Sequence, residues 1–71
     1  MSEADVLAVA NAPEQVIDIR AGRVLAQSIR PLGSDDPVYL LRVVIDIWPE
    51  GPEIVTTYKT SRIAKYWKGV Q

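Results

Sequence analysis

Hydrophobic positions are densest between Val38 and Trp48, where Val-Tyr-Leu-Leu-Arg-Val-Val-Ile-Asp-Ile-Trp runs without a break. Taken two by two, Tyr39, Leu41, Val43, Ile45 and Ile47 form one apolar face. Val38, Leu40, Arg42, Val44, Asp46 and Trp48 form a second that is half apolar and half charged. A buried helix can carry a similar run, but the β-branched residues Val43, Val44, Ile45 and Ile47 favour a strand. This segment is the expected central strand, with one face covered by the chain itself and the other partly covered or meeting another molecule.

The flanking patterns predict five further elements. Ser2-Glu3-Ala4-Asp5 has the spacing of a capping box, with the Ser2 hydroxyl placed to accept from the third helical amide. A helix follows from about Glu3 to Ala10, burying Ala4, Val6, Leu7 and Ala10 and ended by Asn11 and Pro13. It is too short to persist unless packed. Gln15 to Arg20 alternates weakly, with Ile17 and Ile19 opposite Val16, Asp18 and Arg20. Ala21-Gly22 supplies a hairpin turn, and Arg23 to Arg30 forms a second strand with Leu25 and Ile29 opposite Val24, Ala26, Ser28 and Arg30. Pro31 to Pro37 is the most loop-like stretch, and Pro49-Glu50-Gly51-Pro52 is a second turn. Glu53 to Tyr58, with Ile54-Val55-Thr56-Thr57 at its centre, is the fourth strand, although its pattern does not say which face is buried. Thr60 or Ser61 caps a final helix to about Lys68, with Ile63, Tyr66, Trp67 and Val70 on one face and Arg62, Lys65 and Lys68 away from it.

Short connections make the strands antiparallel neighbours. The expected architecture is a single α+β domain over residues 1–71: a four-stranded antiparallel sheet with an N-terminal and a C-terminal helix packed on one face. Its expected core is Val6, Leu7, Ile17, Ile19, Leu25, Ile29, Leu41, Val43, Ile45, Ile63, Tyr66 and Trp67. No internal repeat or linker divides the chain.

Composition narrows the chemistry. A chain of 71 residues is close to the lower limit for a self-sufficient core, so a homo-dimer or higher oligomer is expected. It has no cysteine and no histidine, which removes disulfides, thiol nucleophiles, the commonest zinc ligands and the commonest general base. No cofactor or metal site is expected. The acidic start is unlike a signal peptide, and the longest apolar run is far short of a membrane span, so a soluble, cytoplasmic protein without membrane contact is expected. The net charge of −1 argues against nucleic-acid binding by bulk electrostatics. All nine acidic residues, however, lie at or before Glu53, whereas Lys59, Arg62, Lys65 and Lys68 follow it. Such a basic segment is ordinarily a solvated helix face with cations near its C-terminal end.

If the aliphatic faces of the first three strands all point at the helices, Arg20, Arg30 and Arg42 share the opposite face with Asp18, Ser28 and Asp46. Three guanidinium groups there could clamp phosphates; cross-strand pairing with Asp18 and Asp46 is the ordinary alternative. Tyr58-Lys59-Thr60-Ser61-Arg62 stands where the last strand meets the last helix, a place suited to an anion or simply to an N-cap. Tyr39, Trp48 and Trp67 suit either base stacking or core and subunit contacts.

Pro13-Glu14-Gln15-Val16, Gly22-Arg23-Val24, Tyr39-Leu40-Leu41-Arg42-Val43 and, most specifically, Val55-Thr56-Thr57-Tyr58-Lys59-Thr60-Ser61-Arg62-Ile63-Ala64-Lys65-Tyr66-Trp67 resemble the small bacterial family called domain of unknown function 4258. The resemblance covers nearly the whole chain. Members are similar to the RelE and BrnT group of toxin ribonucleases, small α+β proteins that occur beside antitoxins. Many carry a further N-terminal helix with a histidine, and this chain starts at what looks like their second helix. The resemblance implies a toxin-type, metal-independent ribonuclease with RNA and a cognate antitoxin as partners. In such chemistry the substrate's own 2′-hydroxyl attacks, and the protein aligns the phosphate, stabilises its charge and moves protons. Arg42, Tyr58, Lys59 and Arg62 are the candidate catalytic group, with Arg20, Arg30 and Lys65 as RNA contacts. The rival reading is a non-catalytic oligomerising or protein-binding module of the same fold, and a third is an accessory protein acting only through an antitoxin.

Overall fold

The structure, a computed structural model, describes residues 2–31 and 38–69. The expected acidic loop after Pro31 and the expected helix-face residue Val70 lie outside the described residues. Helix α1 (Glu3–Asn11) is followed by β1 (Gln15–Arg20), β2 (Arg23–Pro31), β3 (Val38–Trp48), β4 (Gly51–Thr60) and a short helix α2 (Ile63–Tyr66). The strands form one antiparallel sheet in the order β1-β2-β3-β4, so the α+β class and the four-stranded sheet expected from the pattern are what the chain adopts.

Local chemistry explains most boundaries. The Ser2 hydroxyl accepts from the Asp5 amide at 3.1 Å, the cap its position foretold, with Glu3 and Asp5 in the positive first turn. Gly22 turns the first hairpin at φ +81°, a left-handed conformation that an L side chain resists, and its carbonyl accepts from the Ile47 amide. In the last hairpin the pairing of β3 with β4 slips between Val44 and Ile45, so Val55 bulges out of register.

Register decides the faces. Val24, Ala26 and Ser28 lie opposite Ile45, Val43 and Leu41, so these residues share one face with Arg30 and Tyr39. Helix α1 covers that face: Val9 joins Ala26, Tyr39, Leu41, Val43 and Ile45 in the buried cluster, and Val6, Ala10 and Val24 pack at its border. Leu7, expected in the stripe, is 47% exposed. The second face carries Leu25, Gln27, Leu40, Arg42 and Val44.

Two expectations are corrected here. The helices do not share a face, because the chain after β4 crosses the second face, where Tyr66 meets Arg42. The placement of Leu25 and Ile29 under the helix also fails: β2 pairs with its Ala26 row beside Val43, which sends Leu25 and Ile29 to the other side. The core is therefore two thin layers around the sheet, not one. Among the described residues no helix is long and apolar enough to cross a membrane.

Candidate functional site: a polar row across the sheet

On the second face one cross-strand row runs from edge to edge: Gln15 on β1 lies opposite Gln27 on β2, Gln27 opposite Arg42 on β3, and Arg42 opposite Tyr58 on β4. The side chains are hydrogen-bonded along its length. Gln27 Nε2 donates to Gln15 Oε1 at 2.8 Å, Arg42 Nε donates to Gln27 Oε1 at 3.0 Å, and Arg42 Nη1 donates to the Tyr58 hydroxyl. Gln27 is fully buried and Arg42 is 9% exposed. A guanidinium in that position is tolerated because donors that lost water have found acceptors.

The chain after β4 lies over this row. The Tyr66 ring centroid sits 4.3 Å from the Arg42 guanidinium carbon, and that of Tyr58 sits 5.5 Å from it, so the charge is held between two π faces. Gln27 Nε2 also donates to the Tyr66 carbonyl at 3.2 Å. Gln15 meets the main chain of Lys68 twice, donating from Nε2 to its carbonyl at 2.6 Å and accepting its amide on Oε1 at 3.0 Å.

The candidate catalytic group is only half assembled. Arg42 and Tyr58 are bonded neighbours, but Lys59, one residue along β4, projects to the face of α1, where its Nζ stands 5.3 Å from the Tyr39 ring centroid. Arg62 is exposed in the link before α2, its amide donating to the Thr60 hydroxyl at 3.1 Å. Helix α2 is one turn, has no side-chain cap and stops at Tyr66 instead of Lys68, so the anion-binding helix start suggested by Tyr58 to Arg62 does not form.

The RNA-contact candidates are equally divided. Arg30 lies on the α1 face and donates to Asp5 at 3.0 Å, which fastens that helix to β2. Arg20 stands by the first hairpin turn opposite Arg23, at the rim of a shallow open depression lined by Asp18, Ile19, Arg23 and Ile47. Lys65 does reach the row's neighbourhood, its Nζ 5.3 Å from the Tyr66 ring centroid. The expected single surface of Arg20, Arg30 and Arg42 is thus not present. Asp46 instead binds Arg23 through paired contacts at 2.5 and 2.9 Å. That hydrogen bonding, with the positive charge of Arg23, holds the Asp46 carboxyl below the ordinary carboxylate range, and the same hydrogen bonding, with the negative charge of Asp46, raises Arg23; the Arg30 hydrogen bond, then Ser2, lowers Asp5.

Gln15 and Gln27 were not singled out by sequence pattern. A signal existed, since Gln27 interrupts the stripe of Leu25 and Ile29, and an amide in a predicted apolar face needs a buried partner. Among the described residues no cluster of acidic side chains could hold a metal ion. Compared with known proteins, the chain matches no protein-family model, no curated protein and no solved structure.

Proposed function

We propose that this chain is a non-catalytic association module, a cytoplasmic protein whose fold serves to join it to other protein chains. One observation carries the reading. The guanidinium that a phosphate would need, that of Arg42, is buried, bonded to Gln27 and Tyr58 and covered by Tyr66. The surfaces left open are those of a binding partner: β4 is an edge strand of ten residues, and Ile47, Trp48, Ile54 and Val55 on its hairpin are each between 39% and 51% exposed. Sedimentation velocity at micromolar concentration should give a dimer or larger, and single-stranded RNA incubated with the protein should stay intact.

A second reading is favoured by a separate feature: Arg42, Tyr58, Tyr66 and Lys65 bring two cations and two phenols together on one face. It is the toxin-type ribonuclease that the resemblance to domain of unknown function 4258 implies, with an antitoxin as partner. Metal-independent cleavage of RNA that falls at least tenfold in Arg42→Lys and Tyr58→Phe variants of unchanged fold would establish it and displace the module reading.

A further inference from the structure

The polar row reads main chain, not side chains. Gln15 offers Lys68 one donor and one acceptor, the pair of contacts that an adjacent strand would make, and Gln27 adds a bond to the Tyr66 carbonyl. The ring of Tyr66, set on Arg42, asks for a particular side chain. The site therefore accepts a short segment with an aromatic residue over β3 and its following main chain over β1.

The segment now occupying it is weakly committed to its own sheet. Helix α2 has no fully buried residue, and Ile63, Tyr66 and the following Trp67 are only half-buried, so polar contacts and ring stacking hold it together with partial apolar burial. Only Ser61 and Arg62 join it to β4, and to reach Gln15 it crosses the sheet from the β4 edge to the β1 edge. Every one of these contacts is the same whether the segment comes from this copy or another, so exchange between two copies sacrifices none of them.

The exposed edge supplies the route. Antiparallel pairing of β4 with β4 of a second copy about Tyr58 sets Thr57 beside Lys59 and Thr56 beside Thr60 with matching faces, and leaves the Val55 bulge outside the paired stretch. The two sheets then share a continuous second face. Each Ser61-Arg62 link lies one strand spacing, about 4.8 Å, farther from the other copy's row than from its own.

We propose that two copies of this chain pair along β4 and exchange their C-terminal segments, each laying Tyr66 to Lys68 on the other copy's row of Gln15, Gln27 and Arg42. This rests on the module reading above and names its partner as a second copy. The test is an isotope-filtered NMR experiment on a co-refolded mixture of ¹³C-labelled and unlabelled protein, read beside sedimentation.

Contacts between the Tyr66 ring of one copy and the Arg42 side chain of another are expected. A dimer with only intramolecular Tyr66–Arg42 contacts overturns the exchange while the module reading stands. A monomer at every concentration overturns both.

Discussion

The guanidinium carbon of Arg42 lies 4.3 Å from the ring centroid of Tyr66, so a charge embedded in the sheet is closed over by the last turn of the chain. This contact, with the hydrogen bonds of Gln15 and Gln27 to the main chain, sets where the C-terminal segment rests. Tyr66→Ala should lower stability by about 1–2 kcal/mol, from the lost ring contact and its burial, whereas Tyr66→Phe should stay near the parent. Urea denaturation midpoints of the two variants check this; equal midpoints would mean that the ring does not hold the segment.

Arg42 and Gln27 should be strongly coupled. Arg42→Ala leaves the fully buried Gln27 Oε1 without its donor and should cost on the order of 3 kcal/mol. The double change Gln27→Leu with Arg42→Met removes both partners and keeps much of the volume, so it should cost less than the sum of the single changes. A double-mutant cycle on equilibrium unfolding measures the difference, and additivity would contradict the hydrogen-bonded row.

Acid should attack the Asp46–Arg23 pair. The Asp46 carboxyl is depressed when folded, so the folded chain binds fewer protons than the unfolded one between its lowered pKa and the ordinary value of about 3.9. Its contribution is complete above that ordinary value and is lost as pH falls through the folded one. Asp46→Asn should flatten the fall of stability below about pH 4 while leaving the slope near neutrality unchanged, as chemical denaturation across the pH range would show.

Two leucines that the sequence pattern places together in the core separate core from surface in the structure. Leu41→Ala, at a fully buried position, should cost on the order of 2–5 kcal/mol, enough to unfold much of so small a protein. Leu7→Ala, at a position 47% exposed, should stay within about 0.5 kcal/mol of the parent. Thermal melts of both variants decide the point.

How much of this was legible beforehand depends on the range of the interaction involved. Ser2 as a cap, Gly22 as a turn, the β-branched run of β3 and the antiparallel order of four strands follow from contacts between residues near in sequence, and each could be read from the chain. The limits of β1 and β3 were likewise set by local signals. The length of α2 was not, because the spacing of Ile63, Tyr66 and Trp67 suits a helix face while nothing local records that the main chain of Lys68, beyond the extended Trp67, bonds Gln15 instead.

The sheet's faces are where pattern reading failed. Alternation in β2 says only that Leu25 and Ile29 oppose Val24 and Ala26; which set meets α1 is decided by pairing with β3, and a slip of one residue exchanges them. That pairing carried Gln27 beside Arg42 and placed Arg30 against Asp5, while alternation along β4 sent Lys59 away from Tyr58, so the expected cationic surface dissolved and the polar row stands in its place. The sequence by itself determined the class, the strands and the residues able to carry charge. Only the tertiary structure decided which of those charges meet, because burial obliges each lost water contact to be replaced by whatever partner the register brings within reach.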